Sequence, residues 1–272
     1  MCWFVSQSAD FHFVLFLSSV DVMYDFDEIA RRLTAASQQP LKDRIALLKR
    51  LCPKLAPQIE QDCGPCGPLI FWGQCRNEDE FAEQMIVDPA ILEIVFHLAK
   101  QRLVPKHPHA GLQHTYGYLL SIIETPYGRK RDRWTTASLE SSFDLPLDVL
   151  SPTPRDGTLL ANATWLAGSI AFRGHNRLKW MQRCLMKRVA PAIQDLQLDH
   201  LPGVRYTETV ELSMHRRRQS RVVLVTDLVQ MPCADEVTNK EPWLLVYSID
   251  GSRNQHPQLV TLFAVTNDFV QA

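Results

Sequence analysis

The stretch KHPHAGLQHTYGYLLSIIETPYGRKRDRW (106–134) gathers His107, His109 and His114, then Tyr116 and Tyr118, then Arg129, Lys130, Arg131 and Arg133. Imidazoles exchange protons near neutral pH, and guanidinium forks match carboxylate and phosphate bidentately. A second stretch, DCGPCGPLIFWGQC (62–75), holds Cys63, Cys66 and Cys75, and with Cys52 it spells C-x10-C-x2-C-x8-C. Four thiols can enclose a tetrahedral structural ion, although paired zinc knuckles carry two CxxC units and this chain has one. The proline and glycine content favours a plain turn with buried thiols over zinc, and zinc over redox chemistry.

The carboxylate to join the histidines comes from further along. In VRYTETVELSM the even positions are Val204, Tyr206, Glu208, Val210, Leu212 and Met214, so an alternating strand sets Glu208 on an otherwise apolar face. Asp227 aligns in the same way with Val223, Val225 and Val229, and Thr261 with Leu259, Phe263 and Val265. A carboxylate on an inward face is paired, hydrogen-bonded or protonated. If 113–122 is a strand, His114, Tyr116 and Tyr118 share one face. The expected acid–base site is then Glu208 as base and His114 as acid beside Tyr116, with Tyr118, Arg129, Arg131 and Arg133 on an anionic substrate. A second basic segment, HRRRQSR (215–221), falls at the turn between two strands.

Three local resemblances accompany these readings. Cys63-Gly-Pro-Cys66 resembles the thioredoxin tetrapeptide, but it follows a helical, proline-punctuated segment where a thioredoxin site follows a buried strand. HPHAG is similar to the first metal motif of cupins, in particular the pirin branch, which implies His107 and His109 as ligands of iron or another divalent metal. Gln113 and His114 stand where that motif places its acidic ligand. Helices followed by a four-stranded antiparallel sheet resemble the plan of barnase- and EndoU-like nucleases, which implies RNA as a partner.

The elements that would position these groups fall into three stretches. Residues 1–22 read as an N-terminal extension, dispensable in expectation, with no basic region for a signal peptide and an apolar run too short to span a bilayer. Residues 23–104 carry apolar positions at three- and four-residue spacing and read as helical, with Asn77 or Asp88 as N-caps and Pro89 in a first turn. Residues 105–272 mix expected strands at 113–123 and 158–172, a helix over 176–197, and four runs rich in Val, Thr and aromatics that form an antiparallel meander. The fold class is α+β, as one interleaved domain.

A net charge of −1 across 272 residues gives no global attraction to nucleic acid or membrane, so such binding needs a local patch. Seven cysteines without a dense framework favour a reducing, cytoplasmic setting. No P-loop, dinucleotide fingerprint, nucleophile elbow or HExxH motif is present. The leading functional expectation is an enzyme for an anionic small molecule, with a divalent metal at 107–114 unresolved. The alternatives are a metal-independent endoribonuclease-like protein and a non-catalytic binding or structural protein.

Overall fold

The computed structural model describes residues 24–63, 68–79, 84–125, 128–131, 140, 143–146, 149, 159–184, 189, 191–198, 201–212, 220–231, 243–250 and 257–265. Residues 1–22, Cys66, Arg133 and the basic segment up to residue 219 lie outside these.

Four helices build the N-terminal part: α1 (Phe26–Ala35), α2 (Leu41–Leu51), α3 (Leu55–Asp62) and α4 (Pro89–Leu98). The three-and-four spacing of Ile29, Ala30 and Leu33 puts them on the buried face of α1. Asp25 caps α1 by accepting from the Glu28 N–H at 3.0 Å. Asp88 caps α4 by accepting from the Ala90 N–H at 2.7 Å, with Pro89 opening the helix. Asn77 is not a cap; its amide closes a two-way link with the Val87 backbone, at 2.8 and 3.0 Å. Buried Arg44 ties α2 to α4, donating to the Ala90 carbonyl at 2.8 Å and pairing with Glu93.

Two stretches expected as strands are helices. Residues 113–123 follow directly on α5 (Ala110–Leu112), run as a π-turn over Gln113–Gly117 with two further helical residues, and end in irregular backbone. Residues 158–172 contain α6 (Leu159–Ala171). The reason is the same for both. Residues 110–121 are all buried, as are 161–172, so neither segment has a polar face to reveal a period of 3.6. The stretch expected as one helix over 176–197 contains α7 (Gly174–Cys184) and α8 (Pro191–Gln194). A two-residue hairpin ladder, β1 (Glu124–Thr125) with β2 (Gly128–Arg129), follows α5.

The C-terminal meander is present as read. Strands β3 (Gly203–Leu212), β4 (Ser220–Gln230), β5 (Trp243–Asp250) and β6 (Gln258–Val265) pair antiparallel in sequence order. The inner face carries Val225, Asp227, Leu244, Val246, Leu259 and Leu262, all buried, and meets α6. The outer face carries a second, smaller apolar cluster of Leu228, Leu245 and Val265 flanked by Trp243, Tyr247 and Phe263. The alternation in β6 breaks at a register shift, where Tyr247 faces Thr261 but Ser248 faces Leu259. Val260 is the extra residue, so Leu259 turns inward while Thr261, Phe263 and Val265 turn outward, not onto one face as expected.

Helix α6 approaches Trp180 of α7 closely enough that a Cβ on Gly168 would lie 2.3 Å from the indole. The Trp165 and Trp180 rings stand 4.7 Å apart beside it. Gly168→Ala must displace a fully buried tryptophan, an overpacking change worth about 1–3 kcal/mol. Urea unfolding should show that loss; an unchanged midpoint would mean the α6–α7 contact is not close-packed.

Candidate functional site

The residues that sequence reasoning brought together are held apart. Glu208 is exposed, on the opposite face of β3 from the helices, because the odd positions of β3 face inward. Its row crosses the sheet as Glu208, Leu224, Ile249 and Gln258. His114 instead bonds Val260 on β6, the strand that lies three strand spacings, roughly 14 Å, from β3. The inward carboxylate is Asp227, which Arg205 grips at 2.6 and 2.9 Å while also donating to the Ala171 carbonyl at 2.9 Å.

His114 sits where two irregularities meet. The π-turn carries it against β6, and its ring bonds the carbonyl of Val260, the residue the bulge leaves without a β5 partner. Its ring also packs at a tilt against Tyr118, with centroids 4.6 Å apart, as an i,i+4 pair does on a helix. Burial pushes the His114 pKa down, helped by the positive charge of Lys130, to about 3. Lys130 itself pairs with buried Asp79 at 2.8 Å. His109 bonds the Leu69 carbonyl at 3.0 Å, and burial lowers its pKa as well. Among the described residues, His109 Nδ1, His114 Nδ1, Gln113 Oε1 and Thr115 Oγ1 are buried without a partner. π-turns and bulges recur at functional sites because they re-aim side chains.

Tyr116 leaves this group. As a helical residue it points to α3, where its hydroxyl donates to Asp62, which also accepts from Gln58 at 3.0 Å. Burial, and then the Asp62 charge, raises the phenol well above its ordinary value, so it stays protonated.

The arginines converge on a carboxylate of the chain itself. Arg129 and Arg131 both pair with Asp27 in the first turn of α1, and Arg129 also reaches Glu124 at 3.1 Å. Burial alone would raise the Asp27 pKa, but the hydrogen bonds and charges of Arg131 and Arg129 outweigh it and hold the carboxyl below its usual value.

The metal readings find no assembled ligand set: no three His, Cys, Asp or Glu side chains gather suitably among the described residues. His107 is exposed, away from His109's bond to Leu69. Cys52 is buried near Tyr24, Cys63 lies beside Asp62, and Cys75 contacts the Pro108 carbonyl at 3.8 Å. Burial raises all three thiols, Cys52 to about 11 and Cys75 to about 12, so they are not thiolates at neutral pH.

Two clefts stand out elsewhere, and neither is lined by a residue of the expected acid–base, anion or metal sites, although Asp227, read from sequence as inward-facing, lines the second. One of about 460 Å³ lies between α1 and α2, with Arg32, Asp43 and Arg50 on its walls. The other, about 330 Å³, lies between the end of α6 and the start of β3, beside Arg173, Arg205 and Asp227. Comparison with protein-family models, with curated proteins and with solved structures gives no match. Among the described residues no helix is long and apolar enough to cross a membrane.

The free edge of the sheet is the feature sequence reasoning passed over. Its outer face runs Val204–Leu228–Leu245–Phe263 as one apolar row across four strands, next to a Tyr206–Thr226–Tyr247–Thr261 row. Val204 is 46% and Tyr206 55% exposed where these rows reach the β3 edge.

Two titrations follow. His114 is neutral in the fold down to about pH 3 but titrates near 6.5 when unfolded. Between those values the unfolded chain binds the extra proton, so stability falls with pH by up to about 1.4 kcal/mol per unit. NMR should find the His114 ring untitrated from pH 8 to 5, and His114→Gln should flatten the stability–pH slope. Asp27→Asn should cost about 1–2 kcal/mol near neutrality. That cost should shrink as acid protonates the wild-type carboxylate, since a depressed pKa contributes stability only above it; a pH-independent cost would assign the loss to packing.

Proposed function

We propose that this chain is a polypeptide-binding module that takes up an extended segment along the open edge of its sheet. The supporting observation is the asymmetry of the two edges. On the β6 side, Trp72 bridges Leu259, the Gly73 N–H donates to the Leu259 carbonyl at 2.8 Å, and His114 holds Val260. On the β3 side, residues 202–209 are all exposed, and among the described elements the strand packs chiefly along β4, with Arg205 reaching the Ala171 carbonyl at the end of α6. An uncovered strand edge offers a row of backbone donors and acceptors to an incoming chain, with alternate side chains supplying selectivity. Selection of ten-residue random peptides on the purified protein tests the reading. Enriched peptides should lose at least tenfold in affinity to Thr207→Pro and none to His114→Gln. A selection that yields no binder dependent on β3 would end it.

A second reading keeps chemistry at the π-turn. It is supported by the buried, unpartnered atoms of His109, Gln113, His114 and Thr115, and by the Lys130–Asp79 pair, whose cation acts on the His114 ring. There a neutral imidazole would act as base toward an anionic small molecule drawn by Lys130. Saturable shifts of the His114 ring on adding inorganic phosphate or acetate, lost in Lys130→Gln, would favour it over the first.

A further inference from the structure

We infer that the segment docking on β3 is the same strand of a second copy, paired antiparallel about Thr207. This rests on the edge-binding reading above and names its partner.

The hydrogen-bond phase of β3 is fixed by one contact. Pro202 lies opposite Gln230 in the register, and the Gln230 N–H donates to the Pro202 carbonyl at 2.9 Å. Directly bonded pairs alternate in an antiparallel ladder, so the even positions of β3 bond β4. The N–H and C=O groups of Gly203, Arg205, Thr207, Thr209 and Glu211 therefore point to the free edge. Two of the usual devices that blunt an edge, a proline within the strand and a bulge, are missing. The strand has no internal proline and its register with β4 runs unbroken from Gly203 to Leu212, while the charge of Arg205 is already taken up by Asp227 and the Ala171 carbonyl.

A twofold axis perpendicular to the sheet pairs residues of like parity, which leaves few registers. Centred on Glu208, it sets two carboxylates against each other at the axis, where like charges destabilise. Centred on Tyr206, it sets Val204 opposite Glu208. Centred on Thr207, it sets Thr207 against itself, Arg205 against Thr209, Tyr206 against Glu208 and Val204 against Val210, with no like-charge pair. The exposed edge positions Val204 and Tyr206 then gain neighbours, and the apolar outer row continues into the second copy. Each outward residue forms two backbone hydrogen bonds, giving a continuous eight-stranded sheet with isologous symmetry.

The experiment uses the full chain. Sedimentation velocity from about 1 to 200 µM should show a reversible monomer–dimer equilibrium, in the micromolar range expected of a small interface. Thr207→Pro removes an N–H that faces away from β4, so it should leave the fold intact by circular dichroism and weaken the dimer at least tenfold. Thr207→Cys supplies an independent reading, since twofold-related residues in a bonded pair stand about 5.5 Å apart, within disulfide reach. Mild oxidation should give a 207–207 cross-link by mass spectrometry, and Thr209→Cys should not give 209–209. A chain that stays monomeric throughout, a dimer indifferent to Thr207→Pro, or a 209–209 cross-link would each overturn the inference. If the peptide selection still yields β3-dependent binders in the first of these cases, the edge-binding reading survives with a different partner.

Discussion

Burial of α6 is the constraint on which the rest of the structure depends. Its side chains from Ala161 to Ala171 have no exposed face, so protein must surround it on every side. The sheet supplies one side, through β4, β5 and β6. The turn over residues 68–71, with α3, α5, α7 and α8, supplies the others. Small residues make this possible: Ala161, Ala163, Ala167, Gly168 and Ala171 let neighbouring elements approach closely, with Trp180 nearly touching the Gly168 backbone. Two of its polar side chains are bonded within the core, Asn162 donating to the Val149 carbonyl at 2.9 Å and Thr164 accepting from the Trp72 indole. That is the condition under which buried polar groups are tolerated.

The end of α6 shapes what the sheet presents. Its last carbonyls need donors, and two arginines supply them: Arg173 bonds the Ile170 and Phe172 carbonyls, and Arg205 bonds Ala171. The start of β3 is thereby drawn to the C-terminal end of the buried helix, while the strand continues beyond the helical layer. Among the described residues α6 packs on the inner face of β4, β5 and β6 and meets β3 through Arg205. The stretch 72–75 crosses to the opposite edge and stitches β6 to Pro108 and Ala110, through Gly73 and Cys75. One edge is closed by the chain's own backbone and the other is left to solvent.

How much of this could be read from the sequence depended on whether a segment had two unlike faces. Helices α1, α2 and α4 did, so their spacing and the Asp88–Pro89 start marked them. The four C-terminal runs did as well, in aggregate, and the meander followed. Residues 110–121 and 161–172 had one environment all round, and their aromatic and apolar content then looked like strand. β3 failed in the opposite sense. Exposed on both faces, it carried an alternation that did not encode which side was inside, and Glu208 was assigned to the wrong face. His109 and His114 were correctly marked as unusual, but the contact that defines their surroundings joins residue 114 to residue 260. No local pattern announces a π-turn meeting a bulge.

The Arg205–Asp227 pair takes over the work that hydrophobic patterning cannot do in β3. A strand with no buried face is free to slip, because moving it by one residue changes little in apolar burial. Asp227, however, is 4% exposed and sits on the inner face among valines, where an unpaired carboxylate is costly. A one-residue slip would set Val204 or Tyr206 opposite it, and neither can neutralise its charge. The pair therefore fixes register more than it adds stability. Fixing the register also fixes which backbone groups face outward, so the determinant that makes β3 a defined strand also makes its free edge a defined binding surface.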